Sequence, residues 1–325
     1  MNKIVILPSA KHVPLELQNE FGVIPTAMIP LDSRPALHYV AEYYQKKGFN
    51  LLISANESAE QIVNYCSHHQ ELPIAVFNVG ETTSIGETVF NTLNSLTELP
   101  DELVVNFADT CIAEDLFEGN VVCFSRQDDI FRWTTFQLDS DKLESISEKW
   151  TSKNSHTPQN VFIGIFRIID VSHFYKLLQE SISTPSKNID PFYDTIQRYF
   201  NNIEPYRKTF QEVHTWRDFG HLDTYYATKK ELSLNCRYFN DIYVDTRRGI
   251  IRKTSKNTQK FINEIRWYLK LPVGLQYIAP RIFKYDLSYN NPSIEMEFYG
   301  YPALNDMYLF GNHDIGVWNQ VFTAV

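Results

Sequence analysis

Lys3–Pro8 reads KIVILP, an unbroken apolar run closed by a turn-forming proline. A strand with one wet face would alternate apolar and polar residues. A continuous run instead suits a strand covered on both faces, as in a parallel sheet. Working outward, ALHYVAEYYQKKG (36–48) places Leu37, Val40, Ala41 and Tyr44 at helical spacing and stops at Gly48. NLLISAN (50–56) is a second buried strand, ESAEQIVNYCSHH (57–69) a helix and PIAVFNVG (73–80) a third strand. SIGETVFNTLNSL (84–96) is helical again, and ELVVNFAD (102–109) returns to strand. Strand and helix alternating in this way predict an α/β fold: a Rossmann-like, mostly parallel sheet with flanking helices.

The remainder is more aromatic. NVVCFSRQ (120–127) and DIFRWTTFQLD (129–139) are β-like, NVFIGIFRI (160–168) is a strong strand, and DVSHFYKLLQES (170–181) is helical. Beyond Tyr226 the pattern shifts: YFNDIYVDTRRGIIRKTS (238–255) reads as two strands about a turn, and NTQKFINEIRWYLKLP (257–272) as a helix with Asn257 as its N-cap. The expected division is residues 1–232 as one domain and 233–325 as a smaller α+β unit. HDIGVWNQVFTAV (313–325) begins an amphipathic helix and stops in mid-pattern, so the second unit is expected to be truncated at its C-terminus.

Composition narrows the function classes. The chain has 325 residues, 43% of them apolar, and a formal net charge of −9. An acidic surface argues against nucleic acid as a partner, although a locally basic pocket can still hold a phosphate. No segment approaches the ~20 apolar residues of a membrane span, and the N-terminal apolar run is too short for a signal sequence. The four cysteines form no CxxC pair and no zinc spacing, which suits reduced thiols in the cytoplasm. The oligomeric state is open, a homo-oligomer included.

Two acidic residues carry the chemistry. Asp109 ends ELVVNFAD, and ligands of open α/β sheets bind at the carboxyl ends of the strands. Asp218 lies in HTWRDFGHLDTYYATKK (214–230), between Arg217 and Gly220. Two carboxylates from distant parts of a chain can grip one Mg²⁺, which takes one or two carboxylates plus phosphate oxygens. The plainer alternative is a turn cap at Asp109 and a loop carboxylate at Asp218. The nine histidines show no motif spacing, so no His-based triad is expected.

The ordered set resembles the sugar-1-phosphate nucleotidyltransferases, or nucleotide-sugar pyrophosphorylases, over residues 1 to about 230. Trp216, Arg217, Asp218, Gly220 and Tyr225 stand in the WRDxGTxxxY pattern of the ADP-glucose branch, with His221 in place of Thr. SIGETVF resembles the LGTAxA turn, which implies nucleotide contacts at Gly86 and Glu87. SEKW resembles the EKP element, which implies a sugar-phosphate role for Lys149. FIGIFRI resembles the GIYxF strand, which implies a substrate-side role for Gly164. The resemblance implies a fold of the nucleotide-diphospho-sugar transferase type. It also implies Asp109 and Asp218 as Mg²⁺ ligands, and a nucleoside triphosphate or nucleotide-sugar with a small phosphorylated compound as ligands. The implied setting is cell-surface polysaccharide synthesis.

Departures accompany it. Where the family has LAGGxGTRL, this chain has LPSAKHVPLELQ, so Pro8, Ser9, Ala10 and Lys11 replace the glycine loop that wraps a triphosphate through backbone N–H groups. In PTAMIPLDSRPAL (25–37) the framework prolines remain, Arg34 stands at the second basic position, which implies a substrate-binding role for it, and Thr26 takes the place of the catalytic lysine. Losing one transition-state cation typically costs ~100-fold in rate. A non-catalytic nucleotide-sugar-binding module is therefore the second expectation. In the smaller unit, a strand lysine followed by a helix glutamate, Lys253 and Glu264, has the spacing of a kinase N-lobe. It is similar to aminoglycoside-phosphotransferase and choline-kinase-like proteins, which makes part of a small-molecule kinase the third.

Overall fold

A computed structural model describes residues 2–324 apart from 32–33, 57, 70, 149–156, 187, 233–239 and 246–247, and leaves out the side chains of 230–232. The chain divides into two compact units. The first is Met1–Thr224 together with Asn305–Val325, and the second is Tyr225–Leu304.

The first unit runs β1 (Lys3–Ser9), α1 (Leu15–Phe21), the short strands β2 (Pro30–Leu31) and β3 (Arg34–Pro35), α2 (Ala36–Gln45), β4 (Asn50–Ala55), α3 (Ala59–His68), β5 (Ile74–Asn78), α4 (Ile85–Asn94) and β6 (Glu102–Asn106). It continues with β7 (Thr110–Cys111), β8 (Asn120–Gln127), β9 (Thr135–Asp139), β10 (Lys142–Ser147), β11 (Gln159–Ile168), α5 (Val171–Ser183), α6 (Pro191–Asn202), β12 (Lys208–Glu212), β13 (Arg217–Asp218) and α7 (Leu222–Leu232), within which the division falls.

The centre of the sheet is parallel: β6, β1, β4 and β5 lie side by side in one direction, joined by crossover helices. β11 then pairs antiparallel with β6, β8 and β9, and β12 pairs parallel with β8. The mixed α/β fold with a parallel centre and flanking helices is the one the sequence predicts. Strand geometry explains why KIVILP had to be continuous. Ile4 and Ile6 point to one face, against Val89, Leu93, Phe174 and Phe192 of α4, α5 and α6. Val5 and Leu7 point to the other, with Leu37, Val40, Tyr44 and Ile62 of α2 and α3. Each such side chain contributes roughly 1.5–3 kcal/mol by leaving water, so neither face tolerates a polar alternation. Of the cysteines, Cys123 is buried, Cys66 and Cys111 are half-buried, and all three are free thiols. Burial pushes the Cys66 thiol up to about 11, so it is unreactive near neutral pH. Cys236 lies outside the described residues.

Two features escape the sequence patterns: α6, and the return of α9 (Leu304–Phe310) and α10 (Ile315–Ala324), named after the strands of the second unit below, to the first unit. Phe310 is 6% exposed and sits in the α2/α3 core beside Tyr65. Asn312 donates from its backbone N–H to the Phe21 carbonyl (2.8 Å) and from its side chain to the Val23 carbonyl (3.1 Å). Gln61 donates to the Phe310 carbonyl (2.6 Å). Gly22 makes this possible: its φ is +76°, and a Cβ there would lie 2.0 Å from the Asn312 carbonyl oxygen. Gly22→Ala is therefore expected to eject residues 310–313. Limited proteolysis should cut there in the variant and spare the parent, and equal protection would refute the latch.

The second unit holds a four-stranded antiparallel sheet, β14 (Asn240–Asp245), β15 (Ile250–Ser255), β16 (Ile282–Asp286) and β17 (Ser293–Glu297), in the order β14-β15-β17-β16. Helix α8 (Thr258–Leu269) packs on it through Phe261 and Ile265, against Ile294 and Met296. No described helix of the chain is long and apolar enough to cross a membrane.

Candidate active site

Asp109 follows β6 at the carboxyl end of the parallel centre. The chain turns sharply before it: Ala108 is fully buried and has φ +66°, a region that costs an L-residue about 1–2 kcal/mol. The Asn106 side chain holds the turn by accepting from the Ala108 N–H (3.0 Å). Backbone strain of this kind collects at functional sites. Ala108→Gly should relieve it and raise stability by about 1 kcal/mol, read as a shift in the denaturation midpoint; an unchanged or lower midpoint would count against strain there.

The turn leads into β7, which pairs antiparallel with β13 so that Asp218 faces Thr110 and Arg217 faces Cys111. The Phe219 N–H donates to the Asp109 carbonyl (2.8 Å). The Trp216 indole donates to Thr110 Oγ1 (2.7 Å), and Thr215 Oγ1 accepts from the N–H groups of Ala113 and Glu114 (3.1 and 3.3 Å). A two-residue ladder with these ties fixes Asp218 beside the residue that follows Asp109. Asp109 and Asp218 lie far apart in sequence, and the ladder pairs Asp218 with the residue next to Asp109.

Asp218 is 8% exposed. Its Oδ2 accepts from Thr224 Oγ1 (2.5 Å) and lies 3.0 Å from His221 Nδ1, so hydroxyl and imidazole orient it. Asp109 is half-buried, and its carboxylate lies against Gly220, where a Cβ would come within 2.7 Å of Oδ2. This explains a glycine two residues after Asp218. Gly220→Ala should displace the Asp109 carboxylate while keeping the fold, because the clash is with the end of a side chain. Oxygen-only donors from two carboxylates suit Mg²⁺ rather than a thiolate-seeking metal. Among the described residues no cluster of three or more His, Cys, Asp and Glu could hold a metal alone, so any Mg²⁺ would share its shell with ligand oxygens or water.

At the start of the sheet, the Ser9 hydroxyl accepts from the Ala27 N–H (3.0 Å), and the Thr26 hydroxyl donates to the Lys11 carbonyl (3.4 Å). The loop Pro8–Lys11 is thus braced by side chains where glycines would leave bare backbone. Lys11 Nζ reaches the Thr83 carbonyl (3.2 Å), just ahead of α4. Ser84 caps α4 by accepting from the Glu87 N–H (3.0 Å), and the Glu87 carboxylate accepts from the Thr83 N–H (2.6 Å). Gly86 is needed for packing, since a Cβ would meet Pro191 and Phe192 at 2.9 Å. Asp190 caps α4 and α6 together, accepting from Ile85, Gly86 and Phe192 N–H groups (2.8, 3.0 and 2.9 Å), and its own N–H donates to Glu148.

Gly164, at φ +80°, lets β11 pass beneath Phe107, whose ring would lie 2.8 Å from a Cβ. Arg34 lies against α2, donating to His38 Nε2 (2.9 Å) and Glu42 (3.4 Å). Lys149 lies outside the described residues. Missed by the sequence reading are Asp190, Thr224, His221 as a carboxylate partner, and Trp133, whose ring meets Trp216 and His221 at 5.4 and 5.7 Å. Asp190 carried the one visible signal, an N-cap followed by proline.

No protein-family model matches the chain, and no curated protein matches it either. Solved structures do. CTP:phosphocholine cytidylyltransferase from Streptococcus pneumoniae (LicC) superposes with a TM-score of 0.54 at 10% identity, covering 71% of this chain and 100% of its own. A putative glucose-1-phosphate thymidylyltransferase from Bacillus anthracis gives 0.53 at 15%, covering 73% and 97%. The inositol-1-phosphate CTP transferase from T. maritima gives 0.53 at 12%, covering 73% and 98%. The fold is therefore that of the nucleotidyltransferases.

Proposed function

We propose that the first unit transfers a nucleotidyl group from a nucleoside triphosphate to a small phosphorylated compound, a sugar phosphate or an alcohol phosphate. What supports this reading is the β7–β13 ladder, which pairs Asp218 with Thr110, the residue that follows Asp109 beyond the carboxyl end of β6. The neighbours' names span choline, glucose and inositol phosphates, which supports a phosphorylated hydroxyl compound as the acceptor class. A phosphate oxygen of the acceptor forms the new bond to the α-phosphorus as the α–β bridge breaks, and pyrophosphate leaves in line with both bonding electrons. The nucleophile is already ionised near neutral pH, so the protein need not supply a general base; it positions and neutralises.

Asp109 and Asp218 would hold Mg²⁺, which supplies charge neutralisation at the α-phosphate. Thr224 and His221 keep the Asp218 carboxylate aimed. Lys11 and Lys149 would neutralise phosphate oxygens, Pro8–Lys11 with Gly86 and Glu87 would face the nucleotide, and Gly164 the acceptor side; Arg34, turned onto His38 and Glu42, has no part in this site. The activated product fits assembly of cell-surface polysaccharide, with the enzyme in the cytoplasm. The test is exchange of labelled pyrophosphate into each nucleoside triphosphate, with and without Mg²⁺ and candidate phosphates. No exchange with any combination would favour the binding-only alternative, to which the braced Ser9–Thr26 loop lends support. In active protein, Gly220→Ala should lower exchange at least ~10-fold.

A second reading concerns the second unit. Lys253 Nζ and Glu264 Oε1 lie 2.6 Å apart, joining β15 to α8. A lysine so held can neutralise the α- and β-phosphates of ATP, as in part of a small-molecule kinase. Lys253→Met should then weaken binding of a non-hydrolysable ATP analogue at least ~10-fold relative to the parent; equal affinity in the two would refute this role.

A further inference from the structure

A cavity of about 870 Å³ opens in the first unit beside α3 and shares no residue with the carboxylate pair. One wall carries Arg34, Gln61, Asn64, Tyr65 and His69; the other is the returning strip Leu309–Asn312. Its volume lies in the range of small-molecule sites.

The polar groups of its inner wall are arranged in a chain. His38 is 4% exposed. Its Nε2 lies 2.9 Å from Arg34 Nη1, which can only donate, and its Nδ1 lies 2.8 Å from the Tyr65 hydroxyl. Burial first, and Arg34 second, lower the imidazole's pKa, against the opposing pull of Glu42. Nε2 also lies 3.2 Å from Glu42 Oε1; in the neutral tautomer that accepts from Arg34 at Nε2, the proton sits on Nδ1, which donates to the Tyr65 oxygen. That leaves the Tyr65 O–H proton available for a further acceptor, and burial raises the phenol's pKa, so it stays protonated. Arg34 uses Nη1 on His38 and Glu42; among the described residues no acceptor meets its Nε or Nη2, and the side chain is 53% exposed. The His69 ring stacks on Tyr65 at 4.3 Å between centroids and donates from Nδ1 to Glu71 (2.8 Å). Among the described residues, Glu60 is the one carboxylate in the lining.

We propose that this cavity is a second small-molecule site, taking a nucleotide-sized organic anion whose phosphate or carboxylate is held by the Arg34 guanidinium and the Tyr65 hydroxyl. A planar fork beside a hydroxyl donor matches an oxyanion with several acceptor oxygens. A ligand there touches α3 and the strip 309–312 together, so it also fastens the returning segment.

The test is calorimetric titration of the full chain without divalent metal. Adenosine 5′-monophosphate, glucose 1-phosphate and citrate serve as probes, with hydrogen exchange followed alongside. At least one probe should bind with an affinity that falls tenfold or more in Arg34→Met and severalfold in Tyr65→Phe. It should stay within twofold in Asp218→Asn. Bound probe should slow exchange at residues 309–312. Glucose 1-phosphate against citrate separates a phosphate site from a carboxylate site. Binding of none of the probes would overturn the proposal. So would unchanged affinity in both the Arg34 and Tyr65 variants of confirmed fold, or protection confined to residues 81–87 and 109–111. Pyrophosphate exchange is read separately, so failure here leaves the transferase reading intact.

Discussion

Asp109→Asn and Asp218→Asn should each lower metal-dependent pyrophosphate exchange at least ~100-fold while leaving the circular dichroism spectrum and denaturation midpoint near those of the parent. The shape of each residue is kept. What disappears is the negative charge that would bring Mg²⁺ to the α-phosphate, and a neutral amide oxygen is a much weaker ligand for a hard cation. The paired strands β7 and β13 are held by main-chain bonds, by Trp216 on Thr110 and by Thr215, none of which needs either carboxylate charge. In the Asp218→Asn variant the amide oxygen can still accept from Thr224, so the loop should stay in place. Full turnover in both variants would end the metal assignment. Loss of fold in either would mean that the carboxylate is a structural cap instead.

Glu102→Ala should destabilise the first unit by about 3–5 kcal/mol, the usual cost of stranding one member of a buried ion pair. Glu102 is 1% exposed at the base of β6, and its two oxygens meet Arg167 Nε at 2.6 Å and Lys3 Nζ at 3.2 Å. These three side chains tie β6 to β11 on one side and to β1 on the other. Arg167 is only 13% exposed and also donates to the Phe117 carbonyl (2.5 Å), so it cannot simply swing out to water. Chemical denaturation should show the loss as a lower midpoint with little change in slope. Pairing Glu102→Leu with Arg167→Met should recover much of it, because removing both charges avoids the stranded one. A midpoint shift worth less than about 0.5 kcal/mol in the single variant would show the network to be solvated.

The parallel centre of the sheet was legible because a strand buried on both faces must be continuously apolar, and KIVILP, NLLISAN and ELVVNFAD follow that rule through their central residues. The position of Asp109, just past the end of such a strand, was legible for the same reason. Helix α6 was not: its apolar residues are mostly aromatics separated by polar ones, and burial of Phe192, Ile196, Tyr199 and Phe200 against the sheet marks its inner face. The roles of the glycines were the hardest to read. Gly86 and Gly164 resemble ligand-contacting positions in sequence, yet each also has a packing reason, against Pro191 and against Phe107. Such approaches depend on residues distant in sequence, and one chain read alone carries no trace of them. The return of Phe310 was invisible for the same reason, since nothing in LNDMYLFG marks it as a plug for a core begun at Leu37.

That return sets a schedule for synthesis. The ribosome finishes Thr224 well before it makes Phe310, and at roughly 5–20 residues per second the intervening stretch takes ~4–17 s. For that interval the groove beside Tyr65 and Ile62 has no occupant. The nascent first unit should therefore be a chaperone client until its last piece emerges, and slow codons between Tyr225 and Leu304 should lengthen that dependence.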